Sequence, residues 1–155
     1  MNISSFGPYR AAGMSLKGKL ESSEIMALWG RFLPRGNELE AAEGGGSFGF
    51  CRCIPGATDG SWEYVAAIAV KDNISVPRDM TAVDVPGAEY AVCDVAAISD
   101  IRAGWESLAR EVNSSDWTPY CGPRGCGCAE HPSFEYYPPE FRGQGPLRLY
   151  IPIHR

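Results

Sequence analysis

A chain of 155 residues, 45% hydrophobic and 21% charged, is long enough to bury a sizeable core as one globular domain, expected to span 1–155. The net charge of −5, the pI near 5.0 and the lack of any Lys/Arg cluster argue against direct binding to a phosphate backbone. No apolar run approaches the roughly 20 residues that cross a bilayer, no signal-type apolar segment opens the chain, and six cysteines in a chain of this size need no disulfide framework. A cytoplasmic protein with reduced thiols and no membrane partner is therefore expected.

In chain order, residues 9–17 read as a first strand, with Met14 and Leu16 on one face and Ser15 and Lys17 on the other. Ser22 or Ser23 is placed to cap a helix whose apolar residues Ile25, Leu28, Trp29, Phe32 and Leu33 follow helical spacing, ending between Pro34 and Asn37. After the link 43–46, residues 47–54 and 62–70 read as two strands, with turn chemistry at 57–60. Residues 71–80, containing Pro77, make a connection.

The order then repeats. Residues 81–85 and 89–95 read as strands, and Ser99 is placed to cap a second helix carrying Ile101, Trp105, Leu108, Ala109 and Val112 on one face. An offset of 76 positions puts Ile25 on Ile101, Trp29 on Trp105 and Phe32 on Leu108, and it also puts Met14 and Leu16 on Tyr90 and Val92. The second half is longer by about ten residues, all in the loop 116–131. Residues 133–138 and 147–153 read as the last two strands. The pattern predicts an α+β fold of two β-α-β-β modules, 9–71 and 80–153, related by a pseudo-twofold axis, with antiparallel sheets, two main helices and a central cleft between the modules.

Four stretches carry a resemblance: Trp62-Glu63-Tyr64-Val65-Ala66-Ala67-Ile68-Ala69-Val70, Pro86-Gly87-Ala88-Glu89-Tyr90-Ala91-Val92, Phe134-Glu135-Tyr136-Tyr137 and Leu149-Tyr150-Ile151-Pro152-Ile153. In this order the chain resembles the GyrI-like family, also called AraC-type effector-binding domains, from about residue 9 to 153. The resemblance implies an aromatic-lined pocket for amphipathic, often cationic, small molecules. It implies that Glu135 lies inside that pocket, with Tyr64 and Tyr90 near the ligand. Tyr137 and Trp62 follow as sharing strand faces with Glu135 and Tyr64, and Trp105 reads equally as core or pocket wall. From alternation alone, Glu135 reads as a charge on the solvent face of an amphipathic strand; the resemblance is what turns it inward. No helix-turn-helix precedes Tyr9, so direct DNA recognition is not expected of this stretch.

Three functions share these residues. In a receptor, Glu135 faces a cationic ligand among aromatic rings. In a hydrolase of electrophilic, cyclopropane-type molecules, Glu135 is a general base and Tyr64 or Tyr90 orients the substrate. In a gyrase-inhibitor-like module, the partner is a protein, which the acidic charge permits. No cofactor is expected. Cys121, Cys126, Cys128 and His131 match zinc in number and softness, yet the paired C-x2-C knuckle is absent, and reduced cysteines in a Gly-rich loop, or an adventitious disulfide, fit the same residues. Cys51 and Cys53 share one strand face and read as packing residues. The scattered aspartates have no calcium-loop spacing, and the 44–46 glycine run lacks the Lys and Ser/Thr of a phosphate loop.

Overall fold

The computed structural model describes residues 1–120 and 127–155. These form nine strands in one sheet: β1 (Asn2–Phe6), β2 (Tyr9–Gly18), β3 (Ser47–Cys53), β4 (Trp62–Ala69), β5 (Thr81–Val85), β6 (Ala88–Val95), β7 (Thr118–Pro119), β8 (Ser133–Tyr137) and β9 (Leu147–His154). Helix α1 spans Ser22–Phe32 and α2 spans Ile101–Asn113. The strand order is β1-β6-β9-β8-β3-β4-β2-β5, every pairing in it is antiparallel, and β7 pairs with the end of β9.

That order reads as two matching halves. β8-β9-β6-β1 runs outward from the middle as β3-β4-β2-β5 does, so the two expected half-sheets join edge to edge through β3 and β8. At this seam Gly49 pairs with Glu135 and Phe50 with Phe134. β1 was not expected: its Ser4 and Ser5 are exposed and break any apolar alternation, yet it pairs with β6 from Asn2↔Val92 to Phe6↔Ala88. It is held by its backbone ladder and by Phe6.

The sheet curls around an aromatic cluster on one face. Phe48, Phe50, Tyr90 and Phe134 are fully buried there, Tyr150 nearly so, and Phe6 packs among them. Phe134 stacks on Tyr150 with ring centroids 4.6 Å apart, and Phe48 on Phe50 at 5.1 Å. The other face carries the helices. α1 packs on β2 and β4 and buries Leu28 and Phe32 against Ala12, Tyr64 and Ala66; α2 packs on β6 and β9 and buries Leu108 and Val112 against Ala91, Leu149, Ile151 and Ile153. Each fully buried Leu or Phe contributes roughly 1.5–3 kcal/mol.

The helix caps differ from expectation by a residue or two. Glu21 is the N-cap of α1, and the Glu24 carboxylate accepts the Glu21 backbone N–H at 2.8 Å, the reaching-back half of a capping box. A 3-10 turn at Ile98–Asp100 absorbs Ser99, and α2 begins from Asp100. No helix among the described residues is long and apolar enough to cross a membrane.

The helix repeat holds at the residue level, whereas the strand repeat slips. Phe32 and Leu108 are both fully buried, and Trp29 and Trp105 both face the space between the helices. Met14 and Leu16 pack under α1, but Tyr90 and Val92 face the aromatic cluster on the opposite side; the residues under α2 are Ala91, Cys93 and Val95. A slip of one residue in a period of two moves every side chain to the other face.

Candidate functional site

Because α1 covers β2 and β4 while α2 covers β6 and β9, the seam strands β3 and β8 lie between the helices with an open volume above them. This cleft measures about 1850 Å³. Its walls are Ile25 and Trp29 from α1, Ile101 and Trp105 from α2, Trp62 and Tyr64 from β4, and Phe141 from the β8–β9 loop. Its floor is Cys51 from β3 with Glu135 and Tyr137 from β8. Exposed Met26, Leu33 and Ile98 form an apolar rim, where Arg102 and Glu106 also pair at 3.6 Å.

Glu135 is the centre of the floor. Only 8% exposed, it sits on the helix-side face of β8, where strand alternation also places Tyr137. Its Oε2 accepts the Tyr64 hydroxyl at 2.8 Å and the Tyr137 hydroxyl at 2.9 Å, and the neighbouring Trp105 side chain also favours its charged form. The Tyr64 oxygen accepts the Trp29 indole N–H at 2.9 Å. One carboxylate thus gathers groups from α1, α2, β4 and β8. Among the described residues, its stabilising contacts are these neutral donors, with no Arg or Lys paired to it.

Burial without a cationic partner sets the electrostatics. Desolvation pushes the Glu135 pKa above the ordinary value of 4.5, and the Tyr64, Tyr137 and Trp105 side chains pull it part of the way back. The same burial, together with the neighbouring Glu135 charge, pushes Tyr64 and Tyr137 well up, so both stay protonated donors. The rings are arranged edge to face: Trp29 on Tyr137 with centroids 5.7 Å apart and Trp62 on Tyr64 at 6.2 Å, while Phe141 tilts on Tyr137 at 4.9 Å. Such a floor and walls have the apolar lining and single polar centre of a small-molecule cleft.

Of the residues expected here, the structure brings Glu135, Tyr64, Tyr137, Trp62 and Trp105 into one cleft. Tyr90 is the correction. It is fully buried on the opposite face, between Phe134 and Tyr150, with its hydroxyl 3.5 Å from the Pro86 carbonyl oxygen. Trp29 was read only as a core position of its helix, although its repeat match to Trp105 marked the two as equivalent. Of the zinc-type residues, Cys121 and Cys126 lie outside the described residues; Cys128 Sγ stands 4.0 Å from His131 Nδ1, and the His131 ring stacks on Tyr120 at 3.9 Å. Among the described residues, no three His, Cys, Asp or Glu side chains are grouped to hold a metal ion.

A curled antiparallel sheet with two helices flanking an aromatic cleft is the architecture of an effector-binding domain. The chain belongs to the GyrI-like family, matching over residues 3–153 the model described as Cass2, integron-associated effector binding protein. It is 29% identical over 151 residues to the transcriptional regulator BrlR of Pseudomonas aeruginosa; the match takes in 94% of this chain and 52% of that protein. The chain therefore spans about half the length of the curated relative it matches. Among solved structures, SAV2435 bound to tetraphenylphosphonium aligns with a TM-score of 0.74 at 12% identity, covering 99% of this chain and 93% of that one. An integron cassette protein from the mobile metagenome of Vibrio cholerae aligns with a TM-score of 0.65 at 13% identity, covering 99% and 95%. EcmrR in its DNA complex gives 0.70 at 11% identity, over 99% of this chain and 57% of the other. At these identities the solved structures establish the shared fold.

Proposed function

We propose that this chain is a receptor for lipophilic organic cations, which enter between α1 and α2 and place their charge against Glu135. The observation that carries the reading is a carboxylate buried in an aromatic cleft whose described partners are all neutral donors. A buried charge without a cation is costly. A cationic ligand removes that cost by supplying the missing partner, and the rings of Trp29, Trp62, Trp105 and Tyr137 add cation–π attraction of about 0.5–2 kcal/mol each where they face the charge. Membership of an effector-binding family and a relative of the same fold bound to tetraphenylphosphonium support the same reading.

The test is quenching of tryptophan fluorescence by tetraphenylphosphonium and by a neutral molecule of similar bulk, triphenylphosphine oxide. Saturable quenching with a clear preference for the cation is expected, since three tryptophans line the cleft. A chain that ignores both probes, or takes the neutral one equally well, refutes the reading. Turnover of an activated cyclopropane that stops on replacing Glu135 would move the assignment to the hydrolase.

A further inference from the structure

Tyr64 and Glu135 hydrogen-bond although a whole strand lies between them. Tyr64 is on β4, opposite Cys51 of β3, and Glu135 is on β8, opposite Gly49 of β3. Strands repeat at about 4.8 Å, so the two backbones stand roughly 10 Å apart and the side chains must meet above β3. They meet over Gly49. A Cβ built on Gly49 would lie 2.1 Å from the Tyr64 hydroxyl oxygen and 2.5 Å from Glu135 Oε2, both far inside contact distance.

Backbone conformation gives no reason for a glycine here. Gly49 is absent from the glycines with positive φ, and it lies inside a regular ladder paired on both sides. Glycine inside a strand weakens it, and such positions mark a close approach by another group. At Gly13 and Gly127 the group that approaches is backbone, as strand packing alone would produce. At Gly49 the approaching atoms are the two polar atoms of the cleft floor.

We propose that Gly49 is a positioning residue for the cleft: its missing side chain is the space in which the Tyr64 hydroxyl reaches the Glu135 carboxylate, and this sets the preference of the floor for a cation. An alanine at this position drives the hydroxyl off Oε2, and the carboxylate then loses one of its donors and its fixed orientation. The groups facing that carboxylate are Tyr64 from β4, Tyr137 from β8, Cys51 from β3, Trp29 and Trp105 from the helices, and, at the rim, Glu21, Arg102, Glu106 and Arg142. The ligand half of the proposal rests on the receptor reading above. The carboxylate half stands without it.

The experiment has two arms on the full chain, comparing wild type with Gly49→Ala. In the first, the Glu135 carboxyl is titrated by NMR with 13C-labelled glutamate and no ligand present. Losing a hydrogen bond that favours the charged form moves the midpoint further up, and Tyr64→Phe moves it the same way. Adding Gly49→Ala to Tyr64→Phe then adds only what the new Cβ does to Oε2 itself, because the hydroxyl it displaces is gone. This double variant also serves if Gly49→Ala alone fails to fold, since the closest clash is removed: a midpoint shift from Tyr64→Phe smaller than the shift that Tyr64→Phe itself makes from wild type supports the proposal, and one as large or larger overturns it. In the second arm, tetraphenylphosphonium and triphenylphosphine oxide are titrated against the same proteins. Gly49→Ala is expected to weaken the cation by about tenfold, the scale of one hydrogen bond to a charged group, and to leave the neutral probe within about threefold. An unmoved carboxyl midpoint in Gly49→Ala, or an equal loss for both probes, overturns the proposal. A wild type that binds neither probe refutes the receptor reading while the carboxyl titration still decides the role of Gly49.

Discussion

Glu135→Gln isolates the charge from the shape of the cleft. Gln keeps the volume and can still accept the hydroxyls of Tyr64 and Tyr137, so the hydrogen-bonded floor survives. A cation whose charge centre stands about 5 Å from the carboxylate gains about 3 kcal/mol at an effective dielectric near 20. Part of this is spent ionising a carboxyl whose burial has raised its pKa, so about 3 kcal/mol, or about 150-fold in affinity, is the upper bound of the loss on substitution. The pH dependence supplies the sharper signature. Cation binding needs the ionised form, so wild-type affinity rises with pH up through the raised value in the free protein, then levels off. The Gln variant is flat over the same range. Calorimetric titration with tetraphenylphosphonium at several pH values measures both effects, and proton release on binding by the wild type alone completes the pattern. Equal affinities for the two proteins, or a parallel pH dependence, would refute the assignment of Glu135 as the counter-charge.

The same carboxyl links folding to pH. Its pKa is raised in the folded state, so its contribution to stability is fully present below about 4.5 and is lost as pH rises through the folded-state value; urea unfolding of wild type and Glu135→Gln across that window should show the slope in the wild type only. Trp29→Phe removes the indole N–H that Tyr64 accepts at 2.9 Å, with an expected cost of about 1 kcal/mol in urea unfolding and a weaker hold on the cation; unchanged values for both would remove Trp29 from the network. Tyr90→Phe is the contrasting control. Its hydroxyl is 3.5 Å from a carbonyl oxygen on the far face of the sheet, so cation affinity should stay within about twofold and stability within about 1 kcal/mol, and a marked affinity loss would contradict the placement of the cleft.

Much of the fold was legible because its periodicities are strong. The apolar spacing of Ile25, Leu28 and Phe32 and of Trp105, Leu108 and Val112 located both helices, and their 76-residue match survives as paired burial and paired cleft positions. Strand β1 was not legible, since an edge strand with exposed Asn2, Ile3, Ser4 and Ser5 carries no amphipathic pattern. The resemblance put Tyr90 near the ligand, and the 76-residue repeat, which could have checked that placement, errs in the same direction. A helix tolerates a repeat offset that is out by one with a partial rotation, while a strand inverts, so an offset calibrated on the helices placed Tyr90 and Val92 on the side that Ala91 and Cys93 occupy. Gly49 was beyond reach, because its meaning lies in two side chains that arrive from the strands on either side of it.

The location of the acid follows from how the two halves are covered. In each half the helix sits on the middle two strands, β2 with β4 and β6 with β9, and the residues beneath it are mostly hydrophobic. The seam strands carry a different series on that same face: Ser47, Gly49, Cys51 and Cys53 on β3, and Ser133, Glu135 and Tyr137 on β8. These small and polar residues are what an alternating strand places toward solvent, which is why alternation alone reads Glu135 as an outward charge. What alternation cannot register is that two helices flank this face and their tryptophans close over it, which turns a solvent side into a buried floor. The acid therefore needs no local sequence signature of burial. Its environment is made jointly by Trp29 and Tyr64 from one half and by Trp105 and Tyr137 from the other, so the site exists only where the halves are joined through β3 and β8, and a ligand bound there at free concentration L stabilises the joined state by RT ln(1 + L/Kd).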